Sequence, residues 1–242
     1  MLEMMRGASG VDLLILLFAV LVMPAMSALA GMRLARTPSV SLLPRYWSAI
    51  LRGWGVGALL LGLWWYAGRP FRALGLDVPI GTRGQWAFLL DALLIAFFAA
   101  QQLRISRLQQ GEIETLVARV AALKVAPRTP VELAVFLVLS LTAGVWEELL
   151  YRGFLIGYLE PRAGLLAAVL LSSLIFGLGH VYQGRRGVLN TALVGLAFAG
   201  LYALTRSLWW LMLAHALIDM GGGVVAFRIA ARVRADAAIK VN

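Results

Sequence analysis

The chain has 242 residues, 61% of them hydrophobic and only 14% charged, and a mean hydropathy of +0.84, far from the roughly half-apolar, quarter-charged balance of soluble domains. The formal net charge of +10 is scattered between apolar stretches, with no dense basic run, which argues for loops anchored at a membrane and against a nucleic-acid partner. There is no cysteine, so disulfides, thiolate metal sites and cysteine nucleophiles are excluded.

The first apolar run, Leu13 to Met32, follows Arg6 and contains Ala28-Leu29-Ala30, a sequence of the kind found at signal-peptide cleavage sites. Its 20 residues carry no charge, which is bilayer-spanning length, so an uncleaved first span is expected. Further spans are expected from Ala49 to Tyr66, Trp86 to Gln102, Val131 to Tyr158, Gly164 to Val181, Val188 to Leu204 and Leu208 to Phe227. That makes an all-α, polytopic transmembrane bundle of about seven spans, within a range of about six to eight. Trp64, Trp65, Tyr66, Trp86, Trp209 and Trp210 fall at the expected span ends, where amphipathic rings favour the headgroup region. Gly53 with Gly57, and Gly195 with Ala199, form small faces suited to close helix packing.

Between Leu103 and Pro130, apolar Ile105, Leu108, Ile113, Leu116, Val120 and Leu123 alternate with charges at helical spacing, which predicts a helix lying on the membrane surface. Pro127 and Pro130 break it before the next span. No internal repeat divides the sequence, so residues 1–242 read as one integral membrane domain, with amino-terminal spans and surface segment over 1–130 and a motif-bearing part over 131–227. Basic residues concentrate on the side carrying Arg33, Arg36, Arg45, the surface segment, Arg185, Arg186, Arg228 and Arg232. The positive-inside rule makes that side cytoplasmic.

Ionisable groups inside apolar spans are costly and point to a functional site. The only two histidines, His180 and His215, lie in such spans, together with Glu147, Glu148, Arg152, Asp219 and Asp91. Glu148 and Arg152 are spaced i, i+4 with the acid first, the favourable order for an ion pair. Glu147 points about 100° away from its neighbour and is left free to face something else. Phe176 shares a face with His180, and His215 with Asp219. Counted from one membrane face, with Pro161 marking a turn, these groups fall roughly 12 to 25 Å deep at helical rise. Asp91, in the third span, reads as an end-of-helix or packing acid, with a proton relay as the alternative. Gly221, Gly222 and Gly223 weaken the last helix just after Asp219, as a kink or as an opening for a substrate backbone.

E-E-x-x-x-R, F-x-x-x-H and H-x-x-x-N/D occur in that order on successive predicted helices. The segment from about Val131 to Ala226 therefore resembles the CPBP family of intramembrane proteases (CAAX proteases and bacteriocin-processing enzymes), related to the type II CAAX prenyl endopeptidase. The resemblance implies a helix bundle with a conical intramembrane catalytic cavity. It implies Glu147 as the catalytic glutamate, His180 as its partner on water, and His215 with Asp219 as the pair that stabilises the oxyanion or orients the substrate. Glu148 and Arg152 match the accessory ion pair, and Phe176 the aromatic beside the histidine. The prenyl endopeptidases typically have Asn where this chain has Asp219, and a carboxylate donates a hydrogen bond only when protonated.

These readings predict an intramembrane endopeptidase of glutamate type, acting on a membrane-associated, lipidated or leader-bearing polypeptide. The composition suggests a bacterial plasma membrane, where prenylated substrates are unusual. No cofactor is favoured. The alternative hydrolase holds zinc on His180, His215 and Glu147, a plausible catalytic set, although the stronger zinc signature H-E-x-x-H is missing. A non-enzymatic transporter or immunity protein is the competing class.

Overall fold

A computed structural model describes residues 10–36, 41–78, 80–107, 112 and 125–241. The protein is an all-α, multi-pass membrane bundle, and no strand occurs among the described residues. Helices α1 (Gly10–Leu17) and α2 (Met23–Arg36) form one rod through a π-helical turn, Phe18–Val22, and are followed by α3 (Leu43–Tyr66) and α4 (Gly81–Ser106). The next rod comprises α5 (Pro130–Glu148), a π-helical segment Leu149–Ile156, and α6 (Gly157–Ala163). Helices α7 (Leu165–Leu178), α8 (Gly184–Thr205) and α9 (Trp209–Val241) complete the chain.

Six helical rods among the described residues are long and apolar enough to cross a membrane, and α7 is a shorter apolar helix. Six of the seven expected spans are thus present at spanning length, within the expected range of about six to eight, and the seventh, Gly164 to Val181, is the shorter α7. The expected surface helix over 103–130 falls largely outside the described residues.

The central rod begins where its sequence says it should. Thr129 accepts from the Glu132 amide at 3.1 Å, with Pro130 at the first helical position, an N-cap of the usual kind. The Glu132 carboxylate, buried, accepts from the amides of Leu42 (2.9 Å) and Arg128 (2.8 Å), which ties the start of α3 to the start of α5. Pro161 lies inside α6 rather than at a turn, where it has no N–H to give to the carbonyl four residues before it. The reversal comes three residues later at Gly164, whose φ of 82° and ψ of 161° are open essentially only to glycine.

All eight residues of the π-helical segment are buried. Leu150, Phe154, Leu155 and Ile156 are the middle of the core, while large apolar residues such as Leu51, Leu59, Trp65 and Leu166 point outward, as lipid-facing positions do. The wider π turn loosens the backbone ladder. The Ser172 hydroxyl, at 2.7 Å, supplies the Tyr151 carbonyl with a donor, which matters where no water reaches.

Several glycines are contact points between rods. A Cβ on Gly53 would lie 2.6 Å from the Trp146 ring, and one on Gly144 would lie 2.6 Å from the Met212 carbonyl oxygen. The expectation that Gly221 to Gly223 kink or open the last helix is corrected. Helix α9 runs through them unbroken, and a Cβ on Gly221 or Gly223 would strike Gln102 or Phe136, so these two are packing positions, while Gly222 has nothing within 4 Å. Trp64 is also corrected. It is 1% exposed and donates to the Pro70 carbonyl rather than sitting at the interface, whereas Trp65, Tyr66, Trp86 and Trp209 are exposed.

At the end opposite the arginine-rich one, two ion pairs close the loops. Arg69 holds Asp12 through both guanidinium nitrogens, and Arg206 holds Glu160 at 2.6 and 2.7 Å. In each case the hydrogen bond to the carboxylate raises the arginine pKa further, against the opposing effect of burial.

Candidate active site

The motif residues meet. Glu147 and Glu148 leave the end of α5 in different directions, as the helical turn requires, and reach opposite edges of one ring. Glu148 Oε1 lies 2.7 Å from His215 Nδ1 and accepts from Arg152 at 2.9 Å. Glu147 Oε2 lies 4.0 Å from His215 Nε2 and 3.9 Å from His180 Nε2. His215 stands on α9 one turn before Asp219, whose Oδ2 is 3.6 Å from Nε2.

His180 sits just past the end of α7 in the turn before Val181–Gln183, not within the helix as its apolar surroundings suggest. It still shares its place with Phe176, since its Nδ1 lies 2.9 Å from the Phe176 carbonyl oxygen. A carbonyl only accepts, so Nδ1 carries the hydrogen and Nε2 of the neutral ring is a free acceptor. The Glu148 carboxylate fixes His215 in the same way. Both imidazoles therefore turn Nε2 toward Glu147.

Phe176 is the wedge between these groups. Its ring is 4.8 Å from His180, 6.1 Å from His215 and 5.1 Å from Tyr151, and the Arg152 guanidinium lies 4.4 Å above it. Arg152 also donates to the Gly195 carbonyl at 3.2 Å. A Cβ on Gly195 would meet Phe176 at 2.8 Å, so this glycine lets α8 approach.

Side-chain exposure grows in one direction: 0% for Glu148, 11% for His215, 12% for Glu147, 18% for His180 and 43% for Asp219. Asp219 thus marks the mouth and Glu148 the back wall. Glu147 Oε2 is shielded from solvent and has no hydrogen-bond partner. A separation near 4 Å is too long for a direct hydrogen bond and is a distance that one molecule bonded at about 2.8 Å to each group would bridge.

The same groups were tested as a metal centre. Hydrogen-bonded Nδ1 atoms are what metal-binding histidines usually have. However, bonds of about 2.0 to 2.2 Å in a tetrahedron place neighbouring donors about 3.3 Å apart. The separations of 3.9 and 4.0 Å exceed that, and no three such groups among the described residues close on one point. As placed, the residues do not fit a zinc ion.

Sequence spacing alone missed four contributors, Phe198, Ser27, Gly31 and Ser172, and one role of Glu148. Glu148 orients His215 from behind, which the i, i+4 pairing with Arg152 concealed. Phe198 packs 5.5 Å from His215, and nothing in an apolar helix marks it. The Ser27 hydroxyl accepts from the Tyr182 amide at 3.3 Å, and a Cβ on Gly31 would lie 3.1 Å from Tyr182 Cα, so α2 braces the turn that carries His180. Ser172, a hydroxyl in an apolar run, was the one legible signal. Asp91 is 2% exposed and lies well inside α4, so it is no end-of-helix acid.

Fold and site together define a multi-pass helical membrane protein with a buried glutamate and two histidines around a small gap. Residues 129–221 match the family described as Type II CAAX prenyl endopeptidase Rce1-like, which bears out the resemblance read from the three motifs. The chain is also 34% identical over 83 residues to the "Putative membrane peptidase YdiL" of Bacillus subtilis (strain 168). That alignment covers 34% of this chain and 33% of the relative, a third of its length. No solved structure matches the chain.

Proposed function

We propose that the protein is an intramembrane endopeptidase that hydrolyses a peptide bond of a membrane-associated, lipidated or leader-bearing polypeptide by activating water between Glu147 and His180, without a metal. One observation carries this reading: the buried, unpartnered Oε2 of Glu147 faces two Nε2 atoms whose rings are oriented from behind. The match to the Rce1-like family and the similarity to a protein named as a membrane peptidase support it. The bacterial relative supports a bacterial plasma membrane as its location.

Glu147 and neutral His180 are both acceptors, so together they take both hydrogens of a water molecule and leave its oxygen lone pair free. As that oxygen bonds to the peptide carbonyl carbon, Glu147 receives a proton and the carbonyl π electrons move onto oxygen. His215, as imidazolium, donates from Nε2 to the developing oxyanion, its charge balanced by Glu148 and Asp219. The intermediate collapses by breaking the C–N bond, and Glu147 passes its proton to the leaving nitrogen, which restores the carboxylate. An ionised Asp219 cannot donate to an oxyanion. At the mouth, it orients His215 and accepts from a substrate amide.

The test is cleavage of a fluorogenic peptide library, with product masses, by protein reconstituted in liposomes. Glu147→Gln lowers the rate by about 10²- to 10⁴-fold, the usual range for a general base, with unchanged thermal unfolding. Undiminished cleavage removes Glu147 as the base. A chelator leaves the rate unchanged; loss that zinc restores replaces the metal-free route. Proton or solute flux in the same liposomes, abolished by His180→Asn without any cleavage activity, replaces the protease by a transporter.

A further inference from the structure

Where α4 and α9 part at the arginine-rich end of the bundle, they leave a groove of about 550 Å³, within the range of about 300 to 1,000 Å³ typical of ligand sites. Its floor is made by Gln102 and Gly221. The Gln102 amide donates to the Ile218 carbonyl at 3.1 Å, and Gly221 has no room for a Cβ beside the Gln102 oxygen. Leu103, Val224 and Val225 are apolar walls. At the rim stand Arg228 and Arg232, both exposed and one turn apart on α9, so they share a face.

The groove changes character along its length. Arg232 is the last residue of the apolar span Trp209–Arg232, and Leu103 lies two residues before the end of Gly81–Ile105. Val225 and Val224 lie seven and eight residues before Arg232, roughly 10 to 12 Å deeper at helical rise and so at hydrocarbon depth, while Leu103 and the two guanidinium groups lie near the span ends. Among the described residues, no ion pair takes up either arginine.

That pattern selects the occupant. A polypeptide strand would leave its backbone donors and acceptors unmatched against apolar walls, and the Gln102 Nε2 on the floor already donates to Ile218. An inorganic anion would use the arginines and leave the walls bare. An amphiphile with an anionic head satisfies both halves, because paired guanidinium groups match phosphate oxygens in geometry and charge, and basic clefts between membrane helices suit anionic headgroups. We infer that this groove binds an anionic phospholipid, its phosphate held by Arg228 and Arg232 and one acyl chain lying along Leu103, Val224 and Val225 toward Gly221. Gly221 is two residues beyond Asp219 on the same helix but on its other face, so the bound chain and the candidate active site lie on opposite sides of α9.

The experiment is native mass spectrometry of the purified full chain, titrated with phosphatidylglycerol and, separately, with phosphatidylcholine of identical acyl chains. It needs no proteolytic activity and runs equally on Glu147→Gln, so it stands or falls apart from the proposed chemistry. One phosphatidylglycerol is expected to be retained with about tenfold preference, equivalent to about 1.4 kcal/mol. Arg228→Gln with Arg232→Gln brings phosphatidylglycerol down to the phosphatidylcholine level. Leu103→Trp, at a site 57% exposed, fills the groove without touching the core and reduces retention of both lipids. Equal retention of the two lipids by the wild type, or undiminished preference in the double variant, overturns the inference. Displacement of phosphatidylglycerol by millimolar inorganic phosphate also overturns it, since the site would then be one for the free anion.

Discussion

The amino-terminal spans and the central rod are made of similarly apolar helices, yet they are buried very differently. In the most apolar windows of Gly10–Arg33, Leu43–Tyr66 and Gly81–Ile105, 11%, 28% and 11% of residues are buried, against 50% in Pro130–Ala163. Most of an outer helix meets lipid and needs only to be apolar. The central rod must also hold Glu147, Glu148 and Arg152 against α7, α8 and α9, so its positions are fixed by shape and hydrogen bonding. The family match covers this second region and not the first three spans.

The sharpest way to break that contrast is Arg152→Met. It takes from the Glu148 carboxylate, 0% exposed, its arginine and leaves His215 as the one other group bonded to it. Removing one partner of a buried pair costs about 3 to 5 kcal/mol, so the variant is expected to lose most of its thermal stability and all cleavage. Unfolding monitored by circular dichroism, with size-exclusion profiles, checks this.

Next in size is a comparison of glycines. Gly144→Val forces a side chain against the Met212 carbonyl and the Ala216 amide, 2.6 and 2.9 Å from the Cβ position. Overpacking costs about 1 to 3 kcal/mol. Activity should fall further than stability, because moving α9 by about 1 Å relative to Glu147 can cost about a hundredfold in rate. Gly55→Ala and Gly62→Ala, both on α3 with nothing near the added methyl, should instead gain up to about 1 kcal/mol each from helix propensity. Equal sensitivity of the two sets in a thermal-shift assay would mean that both regions are packed alike.

Gly31→Val tests the one place where the amino-terminal rod reaches the catalytic turn. The Cβ position lies 3.1 Å from Tyr182 Cα, so the added bulk pushes the turn bearing His180 away from Glu147. The expected signature is a fall in kcat of about tenfold or more, in line with the sensitivity of rate to small displacements, with little change in the unfolding midpoint. An unchanged kcat means that α2 covers this turn without positioning it.

Much of this was legible in the sequence. Apolar run lengths gave the spans, since backbone satisfaction in lipid permits little else, and i, i+4 spacing gave the pairing of Glu148 with Arg152 and of Phe176 with His180. Contacts between helices far apart in sequence were not legible. Glu148 and His215 are 67 residues apart, and periodicity describes the faces of one helix without saying which helix lies opposite. The turn holding His180 was hidden for a related reason: a helix ends at Gly179 here, while Gly177 packs within it and Gly221 to Gly223 do not interrupt theirs. Whether glycine breaks a helix or admits a neighbour is decided by the neighbour.

Asp91 sharpens the comparison from the other side, as an acid of the outer spans at membrane depth. It is 2% exposed and neither carboxylate oxygen has a protein partner. If it belonged to a proton pathway feeding the site, Asp91→Asn would damage activity as much as a change at His180. If the chemistry is confined to the central rod and its neighbours, Asn should preserve cleavage, and the apolar, similarly sized Leu should also raise stability by about 1 to 3 kcal/mol, the usual cost of an unmatched buried polar group. A rise in the unfolding midpoint of Asp91→Leu with cleavage retained places Asp91 in packing alone. A folded Asn variant without activity would instead extend the functional region into α4 and dissolve the division between the two halves.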